Sequence, residues 1–427
     1  MSRGFESHAL RHRCDEEGGE LVVDSAKPPA PSLFDLSADY PQPLHGIQKR
    51  LAGWKLVTAL AAGLVSALVL STGIVLGLTL QSLQSNLVTV ALEGPNAPDL
   101  PDIGDIEGGF NVLVVGSDTR VGQGDQFEFV DSELNDVNVL IHVSEDHDRA
   151  IVVSFPRDLL IDIPSCPQED GTSSEPQTMA PLNTTMGIGG LPCVAMALEQ
   201  LTGLEIGYAG LMTFTGVAQL STAVGGVEVC VTAPLVDPWS GVNLPEAGYH
   251  TLEGGQALAF LRTRKGVGDG SDLARISSQQ VYMAALVRTL QADGVFNDVR
   301  KLYGIASVAS QTMVLSTSLS RVDVMVSMAR ALRGIPNENI IFIQYPVLDA
   351  DPELYPGRVI PHPDLARVVA ERLATDEPFT LADGSLGFGS TTDGNATGNQ
   401  APTPEETEVL EGLVGQTAGD ETCAVPR

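Results

Sequence analysis

The longest hydrophobic stretch of the chain is an uncharged run from Leu56 to Leu80, LVTALAAGLVSALVLSTGIVLGLTL. As a helix this run would be about 37 Å long at ~1.5 Å per residue, which is enough to span a ~30 Å hydrocarbon core with some tilt. We therefore predict one transmembrane helix over 56–80. A cleaved signal peptide is the alternative, but the run is longer than a signal-peptide core and starts about 50 residues into the chain.

The two flanks of this run differ in charge. Lys49, Arg50 and Lys55 precede it, whereas acidic residues follow it and the next basic residue is Arg120. Lys and Arg are enriched on the cytoplasmic side of a membrane span. We therefore expect a single-pass protein of the cell membrane, with a cytoplasmic N-terminus and an extracellular domain after the span.

Three further segments differ in their hydrophobic pattern. Residues 93–380 alternate apolar, β-branched runs with helical stretches, which is typical of an α/β domain. Residues 1–50 are rich in Pro and acids without apolar periodicity, which predicts a disordered cytoplasmic tail. Residues 381–427 are acidic and rich in Gly, Thr, Ser and Pro, which predicts a flexible C-terminal tail.

The charge balance excludes one class of function. The 427 residues contain 24 Lys and Arg against 54 Asp and Glu, for a formal net charge of −30. Nucleic-acid binding depends on neutralising phosphates with basic side chains, so we expect no nucleic-acid partner. Because basic residues are few in this chain, a cluster of arginines indicates a site for an anionic ligand.

The predicted topology sorts the five cysteines. Cys14 falls on the reducing side, and the other four allow three pairings. Cys166 lies in the loop DIPSCP and Cys193 begins a predicted helix, so we favour a disulfide between them. Cys230 with Cys423 is the residual pairing, and a free, buried Cys230 is its alternative.

The first candidate site residues lie where strands end. The run NVLVVGSDTR predicts a strand followed by a turn with Asp118 and Arg120. Asp136 precedes the next strand, VNVLIHV, and a third strand ends before Arg157. Open α/β sheets bind ligands at the carboxyl ends of their strands, so these charged groups are candidates for one site. The alternative for a single Asp is a role in a turn or a helix N-cap.

A second cluster lies in the segment ALAFLRTRKGVGDGSDLARISSQQ. The run ALAFLRTR predicts a strand, in which Arg262 and Arg264 are two residues apart and point to one face. In a helix that begins near Leu273, Arg275 and Gln279 share a face at i and i+4.

Arginine forks match phosphate oxygens, so this cluster predicts a phosphate clamp. Structural pairing with Asp269 and Asp272 is the alternative. If Asp118 and Asp136 converge on the clamp, the set suits a pyrophosphate with Mg²⁺.

The order of these motifs over 110–292, with VVSFPRD and LSTAVGGVEV between them, resembles the LytR-CpsA-Psr family of Gram-positive envelopes, and the composition is similar to actinobacterial members. The resemblance implies an α/β/α sandwich with a central mixed sheet, preceded by one transmembrane helix. It also implies a Mg²⁺-dependent phosphotransferase that moves a glycopolymer from a polyprenyl-pyrophosphate carrier to peptidoglycan. The partners would be that carrier, the peptidoglycan acceptor and the membrane.

The resemblance also assigns roles to single residues. Asp118 and Asp136 match magnesium-binding acids, and Asp118 with Arg157 is the candidate catalytic pair. The positions expected to bind the pyrophosphate are Arg120, Arg262, Arg264, Arg275 and Gln279.

Four positions depart from the family pattern: Leu134, Leu182, Thr222 and Ser278. The first, second and fourth stand where the family usually has a basic residue, so pyrophosphate binding could be weaker or the substrate different. Two other functions stay open at this point. One is a pyrophosphatase that uses water at the same site, and the other is a non-catalytic envelope protein that binds lipid-linked polymer.

Overall fold

The computed structural model describes residues 57–58, 61–67, 71, 87–92, 108–117, 134–168, 170–292, 299–394 and 407–427. The chain divides into two compact units, Met1–Leu68 and Val69–Arg427. The described residues of the first unit are helical and exposed. Within the described ranges, no helix combines the length and apolar character needed to cross a bilayer. Segment 1–50 and most of 56–80 lie outside the described residues.

The second unit alternates strands and helices. Its strands are β1 (Val88–Val90), β2 (Phe110–Ser117), β3 (Asn135–Val143), β4 (Ala150–Phe155), β5 (Leu160–Ile163), β6 (Gln177–Pro181), β7 (Tyr208–Met212), β8 (Val227–Val231), β9 (Leu235–Asp237), β10 (Val242–Leu244), β11 (Gly248–Leu252), β12 (Met313–Ser316), β13 (Ile340–Gln344), β14 (Val347–Asp349), β15 (Val359–Pro361), β16 (Phe379–Leu381), β17 (Ser390–Thr392), β18 (Glu408–Leu410), β19 (Gly415–Thr417) and β20 (Thr422–Ala424). Its α-helices are α1 (Thr185–Thr202), α2 (Phe214–Val224), α3 (Gly254–Arg262), α4 (Asp272–Ala292), α5 (Val299–Thr312), α6 (Val322–Gly334) and α7 (Leu365–Thr375).

The main sheet has eight strands in the order β1-β12-β7-β2-β3-β4-β13-β19. The pairs β1/β12, β2/β7 and β4/β13 are parallel, and the other neighbours are antiparallel. The sheet is therefore mixed, as the sequence predicts.

Side chains alternate across this sheet and define three layers. In β4, Ile151 and Val153 join the core under α1 and α7, whereas Ala150 and Val152 join the core that also contains residues of α4 and α6. Successive residues of a strand point to opposite faces, so a fully apolar strand must be covered on both sides. The result is the predicted α/β/α sandwich.

A second sheet of four strands, in the order β11-β8-β20-β17, has its own core. Helix α4 serves both cores, because Val281 and Tyr282 pack in the core of the second sheet while Ala284 packs in that of the main sheet. This double burial fixes the helix that carries Arg275 and Gln279.

The prediction of a flexible C-terminal tail over 381–427 is wrong for the described part of that segment. Strand β19 pairs with β13 in the main sheet, and β20 pairs with β8 in the second sheet. A Cβ at Gly415 would lie 2.1 Å from the carbonyl oxygen of Phe342, and a Cβ at Gly389 would lie 2.0 Å from that of Ala274. The glycines here permit close backbone contact, whereas their abundance alone suggested flexibility.

Two disulfides tie distant parts of the fold together. Cys166 in a loop is bonded to Cys193 in α1, the pair that the sequence favours, across 27 residues. Cys230 in β8 is bonded to Cys423 in β20 across 193 residues, so the residual pairing is also formed and Cys230 is not a free thiol. The second bond attaches the C-terminal segment to the second sheet.

The packing of the C-terminal segment predicts a measurable contribution to stability. Leu413 is 3% exposed and lies in the core beneath α1 and α7. We expect Leu413→Ala to lower the free energy of unfolding by about 2–5 kcal/mol, because it removes buried methyl groups and leaves a cavity. Urea unfolding followed by circular dichroism would measure this. The matched control is Glu411→Ala at an exposed neighbour, and equal stability of the two variants would contradict the packed segment.

Candidate functional site

The carboxyl ends of several strands meet at one edge of the main sheet. Strands β2 and β7 are parallel, as are β4 and β13, while β3 runs antiparallel between β2 and β4. The start of β3, with Asp136, therefore lies at the same edge as the ends of β2 and β4. This is the position at which α/β sheets bind ligands.

Arg157 is the central cation of this edge. It follows β4 after Pro156, and its Nη1 donates a 2.6 Å hydrogen bond to Oδ1 of Asp136. Its Nε lies 3.7 Å from Oδ2 of Asp158 and 3.8 Å from Oδ1 of Asp272. Burial alone would lower the pKa of Arg157, but the hydrogen bond and the three acids raise it above its ordinary value. The guanidinium therefore stays charged among three carboxylates.

Arg275 and Asp272 form a second, more deeply buried pair in the first turns of α4. Their Nη2 and Oδ1 atoms are 2.8 Å apart, and Nη2 also donates to the backbone oxygen of Asp136 at 2.8 Å. Arg275 and Asp272 are thus in ion-pair contact, but the angles of this contact are not those of a hydrogen bond. Neither oxygen of Asp272 accepts a hydrogen bond from a described residue. The Nε atoms of Arg157 and Arg275 also lack an acceptor among the described residues. Buried polar atoms of this kind are costly unless a ligand completes them.

The arginines could instead have a structural role, in which they pair with Asp269 and Asp272. The structure shows such a pair for Asp272 but not for Asp269. Asp272 pairs with Arg275, as above, whereas Oδ1 of Asp269 accepts a 2.8 Å hydrogen bond from the backbone of Ser271. Asp269 therefore shapes the loop before α4. The predicted start of that helix near Leu273 is one residue from the observed start at Asp272.

The prediction that ALAFLRTR is a strand is wrong. Residues Gly254–Arg262 form α3, with four consecutive buried residues, and a short apolar run of this kind does not distinguish strand from helix. Arg262 ends the helix and lies over the ring of Phe214, 4.3 Å from its centroid. Arg264 lies in the turn that follows, so the two arginines do not share a strand face.

Gln279 links this arginine segment to α4. It is buried, and its Nε2 donates a 2.8 Å hydrogen bond to the carbonyl oxygen of Leu261. Arg275, one helical turn earlier, contacts the start of β3. The shared helix face predicted for Arg275 and Gln279 thus joins the two clusters of candidate residues.

Asp118 and Arg120 lie outside the described residues. The last described residue before them, Ser117, pairs with Asn135 next to a β-bulge. Asn135 is the neighbour of Asp136 in the sequence. The roles of Asp118 and Arg120 stay predictions.

An ion pair at the margin of the site was not predicted from the sequence. Arg358, just before β15, places Nη1 2.5 Å from Oδ1 of Asp158. The two residues are 200 positions apart, and the surrounding LYPGRV has no motif that would have indicated the contact.

A buried asparagine beneath the site was also missed. Asn135 is fully buried; its Nδ2 donates to Oδ1 of Asn138 at 2.6 Å and to the carbonyl oxygen of Leu182 at 3.2 Å. Its Oδ1 accepts from the backbone of Met186 at 3.2 Å. Its position just before Asp136 is the signal that could have singled it out, because it fixes the start of β3 against α1.

Three of the four departures from the family pattern have defined environments. Leu182 is fully buried in the core, and Ser278 is 1% exposed within α4. The hydroxyl of Thr222 donates to the carbonyl oxygen of Ala218 within α2. Leu182 and Ser278 are therefore packed in the interior of the protein.

The sheet edge presents carboxylate oxygens from the start of β3 and the start of α4. Asp136 and Asp272 are carboxylates on either side of Arg157, and both oxygens of Asp272 lack hydrogen bonds from described residues. Oxygen ligands of this type suit Mg²⁺. Among the described residues, the group of three potential ligand residues with donor atoms within 4.8 Å of one another is Cys230, Asp393 and Cys423, but these cysteines are joined in a disulfide and offer no thiolate.

Together, the fold and the site define a class: an α/β/α domain with arginines and carboxylates gathered at the strand ends, suited to binding a multiply charged anion. The chain belongs to the LytR_cpsA_psr family, whose characteristic sequence pattern matches residues 85–360.

Curated relatives of known name support this membership. The chain is 28% identical over 340 residues to the "Cell wall biosynthesis protein LcpA" of Corynebacterium glutamicum, covering 71% of this chain and 61% of LcpA. It is 27% identical over 198 residues to the "Polyisoprenyl-teichoic acid--peptidoglycan teichoic acid transferase TagT" of Bacillus subtilis, covering 44% of this chain and 56% of TagT. The matched regions thus span less than two thirds of either relative.

Solved structures share the fold. Protein gbs0355 from Streptococcus agalactiae superposes with a TM-score of 0.52 at 22% identity, covering 63% of this chain and 88% of that one. A structure titled "TagT bound to LIIa-WTA" gives a TM-score of 0.50 at 21% identity, covering 68% of this chain and 98% of that one.

The buried ion pair at the start of α4 predicts a large effect of a single substitution. We expect Arg275→Ala to lower the free energy of unfolding by about 3–5 kcal/mol, because it leaves the carboxylate of Asp272 buried without its cation. The matched control is Arg367→Ala, which breaks the exposed pair with Glu371 and should change stability little. Urea denaturation midpoints would compare the variants. A destabilisation of Arg275→Ala no larger than that of the control would show that the pair is not a buried constraint.

Proposed function

We propose that this protein is a membrane-anchored, Mg²⁺-dependent phosphotransferase that moves a glycopolymer from a polyprenyl-pyrophosphate carrier to peptidoglycan. The observation that carries the proposal is the cluster of the partly buried Arg157 and the buried Arg275 at the sheet edge, next to the carboxylate of Asp272, which lacks hydrogen bonds from described residues. The names of TagT and LcpA, a teichoic acid transferase and a cell wall biosynthesis protein, support it.

The arginine cluster suits a pyrophosphate for a chemical reason. A guanidinium donates two parallel hydrogen bonds to phosphate oxygens, and such charge-assisted bonds are about twice as strong as neutral ones. The Nε atoms of Arg157 and Arg275 have no acceptor among the described residues. Phosphate oxygens would accept hydrogen bonds from these Nε atoms. Arg262, Arg264 and Gln279 would contribute further contacts to the pyrophosphate.

The transfer step exchanges one phosphorus–oxygen bond for another. The oxygen of a peptidoglycan hydroxyl attacks the phosphorus that carries the glycopolymer, and the bond from this phosphorus to the bridging oxygen breaks. Polyprenyl phosphate leaves with the electron pair, and the hydroxyl proton passes to a carboxylate, for which Asp118 is the candidate. Arginines held in position by their ion pairs stabilise the charge that develops on the phosphoryl oxygens.

Asp118 and Asp136 are the residues that we assign to Mg²⁺, with Asp272 as a neighbouring oxygen donor. The bound cation would supply positive charge to the pyrophosphate oxygens. Arg157 would hold the carboxylate of Asp136 in place through the 2.6 Å hydrogen bond.

The proposed anchor places the enzyme beside its lipid-linked donor. The described residues within 56–80 are helical, and Val57, Leu64 and Val65 are 64%, 65% and 59% exposed. Fully burying an apolar side chain contributes about 1.5–3 kcal/mol, which favours an apolar surrounding for these residues. We propose a single span with a cytoplasmic N-terminus and the family domain outside the cell.

The proposal predicts the outcome of a reconstituted reaction. The full chain in detergent is incubated with polyprenyl-pyrophosphate-linked oligosaccharide, peptidoglycan fragments and Mg²⁺. We expect a phosphodiester-linked product, and we expect Arg157→Ala to slow its formation by about 100-fold or more, because it removes a preorganised charge from the transition state. The product is quantified by mass spectrometry.

The control for this experiment is Arg367→Ala, which removes an exposed arginine on α7 and should keep full activity. Removal of Mg²⁺ by a chelator should stop transfer, and added Mg²⁺ should restore it. Release of free phosphorylated oligosaccharide without an acceptor product would identify a pyrophosphatase instead. Binding of the donor without either product would identify a non-catalytic binder.

A further inference from the structure

The two most exposed large apolar side chains of the described residues lie beside the same loop. Trp239 is 80% exposed and Phe388 is 74% exposed. Both border the segment Arg262–Gly270, which we call the arginine loop because it begins with Arg262 and contains Arg264. Single exposed apolar residues are common on protein surfaces, but two at the two ends of one functional loop require a reason.

Trp239 lies at the tip of the β9–β10 hairpin, which a buried aspartate fixes to the arginine loop. Asp237 is 3% exposed; its Oδ1 accepts from the backbone of Trp239 at 3.0 Å, and its Oδ2 accepts from the hydroxyl of Thr263 at 2.7 Å. Burial would raise the pKa of Asp237, but these hydrogen bonds and those from Ser240 hold it below its ordinary value. The hairpin tip and the start of the arginine loop are therefore one rigid unit.

The indole of Trp239 contacts one lysine side chain and is otherwise largely exposed to solvent. The ammonium of Lys265 lies 4.7 Å from the centre of the Trp239 ring, which is a cation–π contact. The ring nevertheless remains 80% exposed. Lys265 directly follows Arg264 in the sequence, so the indole lies beside the arginine loop.

Phe388 borders the other end of the arginine loop. A Cβ at Gly268 would lie 2.5 Å from the carbonyl oxygen of Phe388, so the two backbones are in direct contact. Gly387 and Gly389 lie against α4, since a Cβ at either would be 2.0 Å from an atom of Ser277 or Ala274. The phenyl ring is therefore exposed on a backbone that packs closely against the helix.

The surroundings of the rings indicate what they bind. Exposing rather than burying a large apolar side chain costs about 1.5–3 kcal/mol, and rigid presentation reduces the entropy lost on binding. The hairpin tip around Trp239 is DPWSG, with Lys265 over the ring, so the rings are not part of a broad apolar patch. A sugar ring matches such a surface, because its C–H face packs on the negative face of an aromatic ring while its hydroxyls remain with polar groups.

We propose that Trp239 and Phe388 form a saccharide-binding subsite that holds sugar rings next to the arginine loop. The inference deepens the proposed function, on which it rests, by naming residues that would recognise the carbohydrate part of a substrate. The sugar could belong to the glycopolymer or to the glycan strand of peptidoglycan, and the experiment distinguishes these sources.

Tryptophan fluorescence gives a direct test of the subsite. The chain contains two tryptophans, Trp54 and Trp239, so Trp54→Phe leaves Trp239 as the single reporter. The full chain in detergent is titrated separately with polyprenyl-pyrophosphate-linked oligosaccharide, peptidoglycan glycan fragments and inorganic pyrophosphate. We expect a saturable change of emission with one of the two saccharide probes, which identifies the source, and no comparable change with pyrophosphate.

Kinetics of the transfer reaction provide the second measurement. We expect Trp239→Ala and Phe388→Ala each to raise the KM for the same saccharide about tenfold, equivalent to about 1.4 kcal/mol, with kcat within about twofold of the wild type. Trp239→Phe should recover part of the loss. The control is Tyr303→Ala, which removes an aromatic ring that is 48% exposed on α5.

The outcomes separate this proposal from the proposed function. Unchanged KM values in both alanine variants, with no saccharide-dependent emission, would overturn the subsite while leaving the transferase intact. Saturable saccharide binding without transfer by the wild type would contradict the transferase and support the subsite. An emission change with phosphatidylglycerol vesicles but not with saccharides would assign the rings to membrane contact and overturn the proposal.

Discussion

The arrangement of the site depends on the pairing of buried and partly buried charges at one edge of the main sheet. Asp136, Asp158 and Asp272 face Arg157, Arg275 and Arg358, with closest contacts of 2.6, 2.5 and 2.8 Å. A buried charge that loses its partner costs several kcal/mol. The start of β3, the turn after β4, the first turn of α4 and the segment before β15 must therefore keep their relative positions. This requirement explains how residues as far apart as Asp158 and Arg358 come to share one small region.

The sum of these charges also bears on which ligand the site can bind. Three acids and three arginines form a set that is neutral as a whole, so a pyrophosphate diester would add negative charge to a site already supplied with carboxylates. A divalent cation accompanying the pyrophosphate would offset this added charge, which is the electrostatic argument for the Mg²⁺ that we propose. The charges of these groups are paired, but not all of their hydrogen bonds are formed. The oxygens of Asp272 and the Nε atoms of Arg157 and Arg275 have no hydrogen-bond partner among the described residues. These six paired groups are therefore neutral as a set, Arg262 and Arg264 aside, and they still offer hydrogen-bond donors to an incoming anion.

The sequence predicted those parts of the fold and site that depend on local periodicity. Asp136 and Arg157 were placed together because both flank predicted strands, and Arg275 and Gln279 because they are four residues apart in a helix. The α3 segment was misassigned, since five consecutive apolar residues, ALAFL, fit a strand or a buried helix equally well. The contact of Arg358 with Asp158 spans 200 residues and follows from tertiary packing alone. No local pattern could have revealed it.

The C-terminal segment shows how composition can conceal a structural role. Its glycines suggested a flexible tail, yet Gly387 and Gly389 press the chain against the start of α4. Further along that helix, Nη1 of Arg288 donates to the carbonyl oxygens of Ala418 and Asp420 at 2.8 and 2.9 Å. The segment thus contacts α4 near both ends of that helix, while Leu410 and Leu413 pack in one core of the main sheet and Ala418 in the other. Because α4 carries Asp272, Arg275 and Gln279, the C-terminal segment helps to set the position of the arginines, and its glycines are needed for close packing on that helix.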